Sequence, residues 1–129
     1  MSSIYGERRA QLKAYLTNND IGTAMISSPA NVYYYTGFNS DPHERFMALF
    51  IDTNPDETVL FVPALDKDAA IQDSDIAKII PISDQEEPFE VVKNTIGSMA
   101  KSVGIEAKVL SYYRYNSLLS FFPQVEVVD

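Results

Sequence analysis

No cysteine occurs in the chain, which excludes disulfides, a thiol nucleophile and any cysteine-ligated zinc. Histidine occurs once, as His43, so the paired histidines of a helical zinc site cannot be assembled. The five glycines are scattered, at 6, 22, 37, 97 and 104. No dinucleotide or triphosphate cradle follows a strand, and no Gly-x-Ser-x-Gly elbow offers a serine nucleophile. Basic charge is also scarce: ten Lys and Arg face eighteen Asp and Glu, leaving a net charge of −8. Without a Lys/Arg cluster, nucleic acid and anionic membrane surfaces are not expected partners. The apolar runs are far too short to span a bilayer. Residues 1–9 place no apolar core before their charges, so they do not read as a signal peptide. The expectation is a soluble, cytoplasmic protein. Its 129 residues, 46% hydrophobic and 22% charged, suit one globular domain.

The clearest local signal is Ser28-Pro29 followed by Gly37. A serine oxygen caps free N–H groups, proline suits the first helical position, and glycine accepts the left-handed geometry that ends a helix. A short helix with Tyr33, Tyr34 and Tyr35 is expected between them, then a polar loop, Asn39 to Arg45, and an apolar strand, Phe46 to Ile51. Before it, residues 4 to 18 read as a helix with Ile4, Leu12, Tyr15 and Leu16 near one face, and Thr23 to Ile26 as a strand. Phe46 to Ile51 and Thr58 to Val62 should form an antiparallel hairpin with a loop of about five residues. Leu65 to Gln72 reads as a helix with Leu65, Ala69 and Ala70 inward. Ala77 to Ile82 holds a short strand that Pro81 sends to an edge or ends early. Phe89, Val92, Ile96, Met99 and Val103 recur at helical spacing, with Gly104 as the stop. Ala107 to Leu110 then reads as a strand, Tyr113 to Phe122 as a helix with Leu118, Leu119 and Phe122 inward, and Val125 to Val128 as a last strand. The alternation predicts one three-layer α/β/α domain, residues 1–129, around a mixed sheet.

The residues that carry chemistry are few. A two-metal nuclease needs several carboxylates on neighbouring strands, whereas the first strand has none and Asp52 stands alone at the end of the second. The cluster Asp41-Pro42-His43-Glu44-Arg45 is the best candidate site. It reads either as a solvated turn or as a small anion site. In the second case Arg45 grips a carboxylate by two parallel hydrogen bonds and His43 donates near neutral pH. Three consecutive helical tyrosines point about 100° apart and cannot share one pocket. Tyr112, Tyr113, Tyr115, Phe121 and Phe122 read as core and domain-contact aromatics.

Residues 27–38, Ser-Ser-Pro-Ala-Asn-Val-Tyr-Tyr-Tyr-Thr-Gly-Phe, resemble the S-P-x-N-x-x-Y-x-T-G-F segment of the creatinase/prolidase/aminopeptidase P family. The likeness continues through Ile21 to Ile26, Leu60 to Leu65, and Leu118 to Asp129. Within the family, Asp41 to Arg45 looks most like bacterial proline dipeptidases. The resemblance implies the non-catalytic N-terminal domain, with a ribonuclease H-like mixed-sheet fold. Catalysis would belong to a C-terminal pita-bread domain that binds two divalent metals (manganese, cobalt or zinc) through two aspartates, a histidine and two glutamates. There a metal-bridging hydroxide would hydrolyse an Xaa-Pro dipeptide. None of those ligands matches this chain, so the chain alone should be inactive, and the stop at Asp129 reads as a domain boundary. The partners implied are that catalytic domain, a second copy in a homodimer, and short proline-containing peptides. Asp41, His43, Glu44 and Arg45 would be accessory substrate contacts, Arg45 clamping a carboxylate and His43 orienting it. Creatinase and aminopeptidase P parents remain open, and so does a stand-alone binding or interaction domain of the same fold without peptidase activity.

Overall fold

A computed structural model describes residues 3–42, 45–53, 56–96, 102–123 and 126–128. Helix α1 (Ile4–Asn18) starts at Ser3, whose hydroxyl accepts the Gly6 N–H at 2.9 Å. Strand β1 (Thr23–Ile26) leads into α2 (Pro29–Thr36). Ser28 is the N-cap of α2, Pro29 opens it, and Gly37 closes it at φ 86°, as the sequence predicts. Strands β2 (Ala48–Thr53) and β3 (Asp56–Pro63) form the antiparallel hairpin. A 3₁₀ turn (Ala64–Asp66) joins β3 to α3 (Lys67–Asp73), and β4 (Ile79–Ile82) follows. The chain then forms α4 (Pro88–Ile96), β5 (Ser102–Gly104), α5 (Tyr112–Phe121) and β6 (Glu126–Val128).

The six strands lie in the order β4-β3-β2-β1-β5-β6. Only β2 runs against the others, being antiparallel to both β1 and β3, while the remaining pairs are parallel. Side chains alternate across a strand, so each central strand feeds two cores. Ala24, Ile26, Leu49, Ile51, Leu60 and Val62 pack on one face with Leu16 of α1, Val32 of α2 and Ala70 of α3. Met25, Ala48, Phe50, Val59 and Phe61 pack on the other with Phe89 and Val92 of α4 and Leu118 of α5. The three-layer α/β/α architecture and mixed sheet are those expected, and Pro81 does sit on the edge strand β4. No helix is long and apolar enough to cross a membrane among the described residues.

Several local expectations are corrected. Ile4 and Tyr15 are exposed, because α1 meets the sheet only through the Leu12 and Leu16 stripe, and Tyr15 lies about 100° from Leu16. The hairpin strands run further than expected, Thr53 already pairing with Asp56, so a five-residue loop is not what separates them; residues 54 and 55 lie outside the described residues. Leu65 and Ala69 face water, since the 3₁₀ turn after Pro63 resets the helical phase and leaves Ala70 as the inward residue. The long apolar helix is shorter: α4 carries Phe89, Val92 and Ile96 inward, but Val103 belongs to β5. Met99 lies outside the described residues. Residues 107–110 are a turn and not a strand, because the Val109 and Leu110 N–H groups both donate to the Glu106 carbonyl at 2.9 Å. Of the C-terminal aromatics, Phe122 is buried as expected, whereas Tyr112 and Tyr113 are exposed.

Candidate functional site

Because β2 alone is reversed, the C-terminal ends of β1, β3, β4 and β5 meet the start of β2 at one end of the sheet. Two adjoining hollows of about 460 and 530 Å³ open there. Arg45, Phe46, Tyr113 and Arg114 line both, so they form one groove. Phe46 is fixed from below by edge contact with Phe89, ring centroids 5.1 Å apart. The Arg114 guanidinium lies 5.3 Å from the Phe46 ring and 5.7 Å from that of Tyr113, a cation–π arrangement that keeps a charge over an apolar floor.

The Arg45 N–H donates to the Pro42 carbonyl at 3.0 Å, and its side chain reaches the groove. Its guanidinium faces Asp84, with Nε donating to Oδ1 at 3.0 Å and Nη2 to Oδ2 at 3.3 Å. Arg45 thus holds a carboxylate of the same molecule through two hydrogen bonds. The pair is solvent-exposed, 45% for Arg45 and 69% for Asp84, so its worth to stability is at most about 1 kcal/mol. Asp41 is exposed and lines neither hollow. His43 and Glu44 lie outside the described residues. Sequence reasoning missed Asp84 and Arg114, which are remote from Arg45 in the chain. No local pattern marks either one.

A second polar knot lies at the same end, between β1 and β5. The Glu106 carboxylate accepts the Ser27 N–H at 2.6 Å and the Ser28 N–H at 2.7 Å through Oε1, and the Asn31 Nδ2–H at 2.5 Å through Oε2. Ser27 Oγ is buried there without a hydrogen-bond partner among the described residues. The tyrosines of α2 divide as their spacing requires. Tyr35 is half-buried against the core, and burial, then Tyr34 and Glu106, raise its phenol pKa. Tyr33 and Tyr34 are exposed, with the Arg8 guanidinium 4.1 Å from the Tyr34 ring. Arg8 and Arg9 of α1 donate to the Tyr34 and Tyr35 carbonyls at 3.0 and 2.7 Å, placing positive charge at the C-terminal end of α2.

Asp52 sits at the opposite end of the sheet, where its carboxylate accepts the Thr23 hydroxyl at 2.6 Å. Among the described residues no three His, Cys, Asp or Glu side chains are placed together to hold a metal.

The comparisons with known proteins agree with this picture. A family model described as Creatinase/Prolidase N-terminal domain matches residues 8–129. An uncharacterized peptidase of Staphylococcus epidermidis is 36% identical over 112 residues, 87% of this chain and 30% of that protein. This chain therefore spans less than a third of the length of that relative. A proline dipeptidase from Streptococcus pneumoniae has a similar structure, with a TM-score of 0.87 and 32% identity over 94% of this chain and 89% of that one. The creatinase/prolidase N-terminal domain of an X-Pro dipeptidase from Streptococcus pyogenes gives a TM-score of 0.85 and 30% identity, covering 94% and 91%. By sequence, fold and the Ser28-to-Phe38 segment alike, the chain belongs to the creatinase/prolidase N-terminal domain family of peptidase-like proteins.

Proposed function

We propose that this domain is the non-catalytic part of a metal-dependent Xaa-Pro dipeptidase. In that role it helps build a homodimer and frames the approach of short proline-containing peptides to a catalytic domain. The two metal ions, manganese, cobalt or zinc, would belong to that catalytic domain. The groove around Arg45 is the surface that meets the peptide, with Arg45 as the carboxylate clamp. His43 is the orienting donor, and Asp41 and Glu44 are its flanking acidic supports. The observation that carries this reading is the Arg45–Asp84 pair: the guanidinium is already arranged to hold a carboxylate with two hydrogen bonds. A peptide C-terminus is the same chemical group and could replace Asp84 without moving Arg45. The apolar floor of Phe46 and Tyr113 suits a proline ring beside it.

The test is steady-state kinetics of the full-length enzyme on an Xaa-Pro dipeptide. Arg45→Ala should raise KM about tenfold, equivalent to about 1.4 kcal/mol, with little change in kcat, because the clamp binds ground and transition states alike. His43→Ala should raise KM less. Asp84→Asn removes the internal competitor and should lower KM. Unchanged KM in both the Arg45 and His43 variants would sink the reading.

A further inference from the structure

The strand order turns between β1 and β5: from β1 the chain builds outward through β2, β3 and β4, then returns to place β5 and β6 on the other side. In open α/β sheets the crevice beyond the strand ends at such a turning point is where ligands commonly bind. Here that crevice is filled from within. The N–H groups of Ser27 and Ser28, at the start of α2, point at the Glu106 carboxylate, which stands where an anionic ligand would be held. Glu106 also acts in the other direction. Its own carbonyl accepts the N–H groups of Val109 and Leu110, and Val109, Leu110 and Ser111 line the larger hollow of the groove. One residue thus joins the α2 side of the groove, Ser27 and Pro29, to its opposite wall.

We propose that Glu106 is a positioning residue: its carboxylate, bound at the start of α2 in place of a ligand, sets the 109–111 wall of the groove. A simple helix cap would stabilise α2 alone. Glu106 differs because it lies 78 residues from Ser28 and carries the turn that forms the wall. Removing the carboxylate should loosen that wall, including Leu110 where it packs against the second core, while the buried residues of both cores, of which Glu106 is not one, stay in place. Any consequence for peptide binding rests on the function proposed above, but the positioning role itself does not.

Amide hydrogen exchange on the 129-residue chain separates the two. In Glu106→Ala, exchange at Val109 and Leu110 should accelerate at least tenfold along with that at Ser27 and Ser28, while Ile51 and Val59 keep their protection. Acetate or formate, added as the missing carboxylate, should restore protection at Ser27 and Ser28 in Glu106→Ala but not at Val109 and Leu110, which a free carboxylate does not tether, and should have no effect on wild type. Glu106→Gln, which keeps the shape and one acceptor oxygen, should fall between the two and serves if the alanine variant fails to fold. Ser28→Ala is the control, loosening the start of α2 without touching Glu106. Two results would overturn the proposal. In one, Glu106→Ala and Glu106→Gln free only Ser27 and Ser28. In the other, Ser28→Ala frees Val109 and Leu110 as much as Glu106→Ala does. Failure here leaves the Arg45 kinetics untouched, so the two readings stand or fall separately.

Discussion

Two aspartates of this domain titrate in opposite directions, and the surroundings of each explain the sign. Asp52 is buried, and burial raises its carboxyl pKa. The Thr23 hydrogen bond opposes that rise and the charge of Glu57, its cross-strand neighbour, adds to it. A raised value in the fold means that the native state holds the proton more tightly than the unfolded chain. The ionised form therefore carries a stability penalty above the raised value, relieved as pH falls through it toward 3.8. Asp75 is the reverse. Burial alone would raise it, but hydrogen bonds from Arg9 and Ser3, the Arg9 charge and its own backbone N–H lower it overall. Its contribution is fully present above 3.8 and is lost as pH falls through the lowered value. Two variants should then differ from wild type in opposite directions at pH 7 and converge on it in acid, as read by urea unfolding. Asp52→Asn, which can still accept from Thr23, should stabilise the domain at pH 7 by on the order of 1 kcal/mol, and the gain should shrink toward pH 3. Asp75→Asn should lose about 1 kcal/mol at pH 7 and progressively less in acid. A pH-independent difference for either variant would show that its charge is not the cause.

At the scale of elements, α2 is held at both ends by different means. At its start Ser28 and Glu106 take the free N–H groups, and at its end Gly37 turns the chain at φ 86°. A Cβ at Gly37 would lie 2.9 Å from Tyr5 Cε2 and 3.1 Å from the Asp73 carbonyl, in a backbone conformation that side chains disfavour. Gly37→Ala should cost about 2 kcal/mol and lower Tm by about 8 °C. An unchanged Tm would mean that α2 can end without the left-handed turn. This helix was fully legible in the sequence because its cap, proline and glycine are local signals. The strand at 102–104 was not. Ser-Val-Gly has little intrinsic preference for a strand, and it becomes one through pairing with β1 and β6, its Val103 meanwhile matching the helical spacing set by Phe89. Once β5 was misplaced at 107–110, Glu106 could not be recognised as the partner of Ser27 and Ser28. The candidate site shows the same division: Arg45 could be chosen from its residue type, but Asp84 and Arg114 reach it only through the meeting of strand ends.

For the molecule as a whole, the sheet is a shared wall between two cores, and this decides how it should unfold. Ile51 and Val59 lie on the adjacent, hydrogen-bonded strands β2 and β3, are both fully buried, and project to opposite faces. Neither helical layer has another surface against which to bury its apolar stripe, so loss of either core exposes the strands that support the other. The domain should therefore unfold in one step, although its helices are split between two faces. Ile51→Val should destabilise by about 1 kcal/mol and Val59→Ala by about 2 kcal/mol. Each should shift a single transition that far-ultraviolet circular dichroism and tyrosine fluorescence report together. Tyrosine is the natural probe, since the chain has eight tyrosines and no tryptophan, and all eight lie in α1, α2 and α5, on both faces of the sheet. If Val59→Ala separated the two signals while Ile51→Val did not, the α4 and α5 layer would be a unit that melts by itself. The groove, whose Tyr113 and Arg114 belong to α5 and whose Arg45 precedes β2, would then come apart before the rest of the fold. A single coincident transition for both variants is the expected result, with the groove as stable as the sheet end that forms it.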